Sequence, residues 1–183
     1  MVAYKNFWSL NTDEAVVTGI LRENALKDAD VLMPINAQMK DIDLVLMNFK
    51  NRKAATIQVK GSKAYEPTKN ESKKNGEGSN GWFFLKKEVV HESKADYFIF
   101  LVYVISEDKK DGRRHIEPHT ITIPTSKLKE LCLKYKKPHP DRYSFYFWVN
   151  PNKKVAFDWR DEQYDLTEYL DKIGFEILNK SIQ

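Results

Sequence analysis

The stretch Asp96–Ile105, Asp-Tyr-Phe-Ile-Phe-Leu-Val-Tyr-Val-Ile, constrains the fold more than any other part of the chain. It is apolar at consecutive positions, not at alternate ones. Side chains on a strand alternate between faces, so a strand apolar on both parities needs cover on both faces. The expectation is a central strand of an α/β sheet with other elements packed above and below. Ten Phe, nine Tyr and four Trp in 183 residues supply enough apolar surface for such a core and argue against disorder. The length suits one domain spanning 1–183.

Periodicity supplies the other elements. Asn11 is a capping residue for a helix whose first turn is acidic and whose Val16, Val17, Ile20 and Leu21 recur at helical spacing. Strands are expected at 30–34, 41–49 and 54–60, the last two joined as a hairpin across the polar turn Lys50–Lys53. Residues 61–81 are rich in Gly, Ser and Asn and read as a long mobile loop. A short helix is expected at 86–93 and a strand at 119–124. Thr125 or Ser126 then caps an amphipathic helix through Leu128, Leu131, Cys132 and Tyr135. A hairpin (143–149 with 154–159) and a helix over 165–178 complete the chain. The core is expected at about 11–135, with the C-terminal hairpin and helix at 143–183.

Charge is informative by position. Between Lys127 and Arg142 six bases accompany two acids, while from Asp158 to the end seven acids accompany three bases. Lys127 and Lys134 are therefore candidate phosphate contacts, against the plainer reading of a solvated helix face. The single cysteine, Cys132, excludes an internal disulfide framework and suits a reducing compartment. The first residues lack the apolar segment of a signal peptide, and no apolar run approaches the ~20 residues of a membrane span. A cytoplasmic protein without a membrane partner is expected. His115 and His119 are four apart in a strand-like segment interrupted by Pro118, which argues against a zinc site.

One pair of segments carries chemistry. Asp41-Ile42-Asp43 opens the second expected strand, and Thr56-Ile57-Gln58-Val59-Lys60 forms the third. Alternation puts Asp43 on one face of its strand and Gln58 with Lys60 on one face of the neighbour. A carboxylate and a second oxygen donor are what a hard cation such as Mg²⁺ requires. An ammonium beside them can orient water or balance charge on a phosphate. The plainer reading is a cross-strand ion pair.

The order helix with an early Glu, then Asp-Ile-Asp-Leu, a turn, and Ile-Gln-Val-Lys-Gly resembles the PD-(D/E)XK nuclease superfamily, over roughly Thr12 to Ile105. The resemblance implies a restriction-endonuclease-like αβββαβ core, a mixed central sheet flanked by helices, and Mg²⁺- or Mn²⁺-dependent hydrolysis of phosphodiester bonds, with DNA as the expected partner and a homodimer as one option. It assigns metal binding to Asp43 and Gln58, with the Val59 carbonyl as a further ligand, and catalysis to Lys60. Glu14 matches the first-helix glutamate of some members. Ser62 and Lys63, just past the strand, become candidate backbone contacts. Two departures stand out: Ile42 precedes the Asp where the pattern has Pro, and Gln58 brings no charge where the pattern has a carboxylate. A non-catalytic nucleic-acid-binding or protein-interaction module on the same fold is therefore the alternative.

Overall fold

The structure, a computed structural model, describes residues 12–34, 41–107, 111–135, 139–159 and 164–183. The first half of the chain forms α1 (Thr12–Asn24), β1 (Ala29–Leu32), β2 (Leu44–Asn48), β3 (Ala54–Gly61), α2 (Lys69–Asn75), β4 (Ser79–Lys86), α3 (Lys87–His91) and β5 (Tyr97–Glu107). The second half forms β6 (Arg114–Pro124), α4 (Thr125–Leu133), β7 (Arg142–Asn150), β8 (Val155–Asp158), β9 (Tyr164–Asp165) and α5 (Asp171–Ser181), with a short 3-10 turn at Thr167–Tyr169.

The fold is mixed α/β. Five strands form a mixed sheet in the order β1-β2-β3-β5-β6. β3 and β5 run parallel, and every other pairing in that sheet is antiparallel. The crossover between β3 and β5 carries α2, β4 and α3. β4 does not join that sheet but leads a second, antiparallel one in the order β4-β7-β8-β9.

β5 is covered on both faces, as its composition requires. Ile99 and Leu101 pack with Ile57, Val59, Leu44 and Leu46 beneath Val17 and Leu21 of α1 and Phe175 and Leu178 of α5. Phe98, Phe100 and Val102 point the other way, into Phe83, Phe145 and Phe147 of the second sheet and Leu128 and Cys132 of α4. Phe100 meets Phe83 and Phe147 edge-on, with ring centroids 4.9 and 5.0 Å apart. Each such buried side chain stabilises by roughly 1.5–3 kcal/mol, and the edge-on pairs add to that. Among the described residues no helix is long and apolar enough to cross a membrane.

Several expectations are corrected. Segment 61–81 is not a long structureless loop: it holds α2 and the start of β4. Thr68 and Glu71 form a reciprocal capping box that starts α2. The small residues that read as loop are packing devices. Ser79 and Asn80 are buried, and a side chain at Gly81 would strike Val102 and Phe83. α4 begins at Thr125, but without the expected hydroxyl cap, because Thr125 donates its hydroxyl to the Ala95 carbonyl at 2.6 Å. The last helix starts at Asp171 instead of Asp165. The side chain of Asp165 accepts from the Thr167 N–H at 2.9 Å and opens a turn there. Asn11, the expected cap of α1, lies outside the described residues.

Candidate functional site

β3 outruns β2. Leu44, the first residue of β2, registers with Ile57, so Gln58–Gly61 continue past the last β2 partner. Asp43 stands at this break. Its N–H donates to the Ile57 carbonyl at 2.9 Å, and its Oδ2 accepts from the Val59 N–H at 2.8 Å. A carboxylate thus takes a ladder position that a backbone carbonyl would fill in a longer strand. The bond is charge-assisted, and it fixes the side chain against β3.

Gln58 is buried at 3% exposure, and among the described residues its Oε1 has no hydrogen-bond partner. A buried oxygen left in that state costs about 1–3 kcal/mol. It also has the chemistry of a ligand: hard cations take amide, carboxylate and carbonyl oxygens. Asp43, the Gln58 amide and the Val59 carbonyl fit such a group in donor type. Among the described residues no three His, Cys, Asp or Glu side chains are placed to hold a metal ion, so a cation here would rely on neutral oxygens beside Asp43.

The register assigns the faces. Gln58 and Lys60 pair with Phe98 and Phe100, while Ile57, Val59 and Gly61 pair with Tyr97, Ile99 and Leu101. Gln58 and Lys60 therefore share a face, as alternation predicts, and it is the face toward the second sheet. Gln58 is buried there and Lys60 half-buried. α1 packs on the opposite face. Glu14, buried at 6% exposure, lies on the same helical stripe as Val17 and Leu21. Glu14 and the Gln58–Lys60 pair thus start from elements on opposite sides of the sheet.

α1 does reach the open end of β3, through the neighbour of Glu14. The Asp13 carboxylate lies against the backbone of Gly61 so closely that a side-chain carbon there would sit 1.8 Å from Oδ2. The same carboxylate accepts a hydrogen bond from the Tyr103 hydroxyl at 2.9 Å. Burial, that bond and the Asp13 charge raise the Tyr103 pKa to about 12. Asp13, Gly61 and Tyr103 were not singled out from sequence. Tyr103 left a signal, as a hydroxyl within an otherwise apolar run. Asp13 looked like an ordinary acid at a helix start.

The remaining candidates separate. Ser62 is buried, accepts from the Trp82 N–H at 2.9 Å and donates to the Lys63 carbonyl at 3.0 Å, so its hydroxyl joins β3 to β4. Lys63 beside it is exposed. Lys127 and Lys134 lie elsewhere, because α4 follows Pro124 on β6, two strands across the sheet from β3. Lys127 pairs with Glu130 at 2.9 Å, and Lys134 lies over the Tyr164 ring at 6.0 Å. The groove they line, about 250 Å³, also holds Asp165 and Glu168. Cys132 is buried in the core. His115 and His119 are held by acids instead: His115 by Glu117, and His119 by Asp171, each at 2.8 Å.

Comparison with known protein families, with characterised proteins and with solved structures finds no significant match for this chain.

Proposed function

We propose that this chain is a divalent-cation-dependent nuclease of the restriction-endonuclease-like class, hydrolysing phosphodiester bonds, with DNA as the substrate. The observation that carries the reading is the break between β2 and β3. There Asp43 is locked to the Val59 N–H beside the unpartnered buried oxygen of Gln58, with Lys60 two residues further along the same face. The start of the chain, α1 then β1, β2 and β3 in one sheet with β5 parallel to β3, is compatible with the αβββαβ order of that class.

In this reading Asp43, Gln58 and the Val59 carbonyl hold Mg²⁺ or Mn²⁺. Held by these oxygens, such a cation would supply an activated water and charge balance for the scissile phosphate. The protein's own part is positional. Asp43 is held by a strand amide and not by a flexible loop. Lys60 offers its ammonium to the phosphate oxygens as their charge grows.

The test is cleavage of plasmid and branched DNA with Mg²⁺ or Mn²⁺ by wild type and by Lys60→Ala. Loss of at least 100-fold in the variant is expected, on the order found for removing one charge-stabilising donor. Equal cleavage by both proteins would refute the assignment. The neutral side chain of Gln58 favours a second reading, a non-catalytic nucleic-acid-binding module. Salt-sensitive DNA binding without cleavage would select it.

A further inference from the structure

The second sheet turns an aromatic row away from the core. Phe83, Phe145 and Phe147 are buried, so alternation sends Trp82, Phe84 and Tyr146 to the opposite face. Trp159 extends β8 along β7, its N–H donating to the Tyr146 carbonyl at 3.1 Å. Tyr146 is the centre of the row. Its ring lies 5.6 Å from Trp82, 6.2 Å from Phe84 and 5.8 Å from Trp159. Phe84 is 51% exposed, which is unusual for a large apolar ring on a sheet.

Cations border this row at both ends. The Arg142 guanidinium lies 5.5 Å from the Phe84 ring centre, and the Lys74 ammonium 5.7 Å from that of Trp159. Lys74 comes from α2, which buries none of its residues and also exposes Lys69 and Lys73. The one acid of that helix is turned inward. Glu71 accepts from the Thr68 N–H at 2.7 Å and from the Asn80 side chain at 2.9 Å. The helix therefore presents lysines to solvent while its carboxylate is used by the fold. The row is also wired to the end of β3, since the Trp82 N–H donates to Ser62, two residues past Lys60.

We propose that this face, with α2, is a stacking platform for a single-stranded segment of nucleic acid. Tyr65 already stacks on Trp82 at 4.6 Å, so the row offers the exposed Phe84 with the half-exposed Tyr146 and Trp159; bordered by Lys and Arg, these rings match a flexible polyanion whose every base has a π-face. A protein partner would explain the exposed Phe84 but not the inward-turned Glu71 or the three exposed lysines of α2, one of them over Trp159. A rigid duplex keeps its base faces stacked internally and has no use for the rings. The inference rests on the reading that the protein acts on nucleic acid. It adds that the chain engages an unpaired strand beside the cleavage site.

The test is fluorescence anisotropy with labelled dT20, U20 and a blunt duplex, run beside the cleavage assay. Wild type is expected to bind a 20-mer single strand more tightly than the duplex, and the dT20 and U20 arms distinguish DNA from RNA. Phe84→Ala, at an exposed position, is expected to keep its melting transition and weaken single-strand binding about tenfold. Lys69→Ala with Lys73→Ala and Lys74→Ala is expected to lower the salt slope by about two. Unchanged single-strand affinity in Phe84→Ala overturns the platform, even if cleavage and its Lys60 dependence stand. Absence of single-strand binding in wild type also overturns it. Binding lost in Phe84→Ala, in a protein that cuts nothing, upholds the platform and overturns the nuclease reading.

Discussion

Two regions of the five-stranded sheet, the open end of β3 and the helix that follows β6, carry similar residue types and use them differently. At the end where β3 outruns β2, the acidic and amide groups are buried or set against backbone: Asp43 on the Val59 N–H, Asp13 against Gly61, and Gln58 with an Oε1 that has no hydrogen-bond partner among the described residues. At α4, Lys127 pairs with Glu130 on the same helix and Lys134 lies over Tyr164. Contact with the backbone of β3, made by Asp43 from the end of β2 and by Asp13 from α1, is what separates them. A strand fixes the direction of each side chain and commits its neighbours' amides, so a polar group there has to be accommodated specifically. A charge on an exposed helix face finds local partners of low energetic value.

Substitutions test the contrast, beginning with the largest expected effect. Gly61→Ala forces a carbon into the space of the Asp13 carboxylate and breaks the Asp13–Tyr103 bond. The carboxylate can swing aside, so the loss expected in denaturant unfolding is chiefly that charge-assisted hydrogen bond, about 2 kcal/mol. In an Asp13→Ala background the same change is expected to have less than half that effect, so the double-mutant cycle isolates the contact. Additive losses would mean that Asp13 and Gly61 are not coupled.

Asp43→Ala leaves the Val59 N–H without its acceptor. About 2 kcal/mol is expected in the same measurement, within the range for a buried donor left unpaired. Asp43→Asn, which keeps an acceptor oxygen, is expected to recover most of it.

A smaller effect is expected at His119, on β6. Burial lowers its pKa, but the bond to Asp171, that residue's charge and Glu117 outweigh burial and raise it above the ordinary histidine value. A raised folded pKa gives stability that is present below the unfolded value and is lost as pH rises through the folded one. Wild type is therefore expected to melt a few degrees above His119→Gln below pH 6, with the gap closing at higher pH. A gap that widens with pH would reverse the sign of this account. The smallest effect belongs to α4: Lys127→Ala and Lys134→Ala are each expected to change stability by under about 0.5 kcal/mol. Strong loss of duplex affinity in either variant would make that helix a binding face after all.

Much of the fold was legible in the sequence, for identifiable reasons. The doubly apolar run at 97–105 implied cover on both faces, and β5 has it. Hydrophobic alternation and turn residues located β3 and the β7–β8 hairpin. The segment after β3 misled because small polar residues mark loops and tight packing alike. Only tertiary contact shows that Gly81 lies against Val102, or that Ser79 accepts from the Ile105 N–H. Strand parity put Gln58 and Lys60 on one face correctly, since alternation is local. Parity says nothing of which face a helix covers, so the opposite placement of α1 and the reach of Asp13 to Gly61 were not readable from spacing.

The account turns on whether Asp43 and Gln58 share one cation. Calorimetric titration of the apo protein with Mn²⁺ tests this most directly. One saturable site is expected in wild type, lost in Asp43→Ala and tightened in Gln58→Glu, where a carboxylate replaces the neutral oxygen. No saturable binding in wild type, or the same binding in Asp43→Ala, would contradict it.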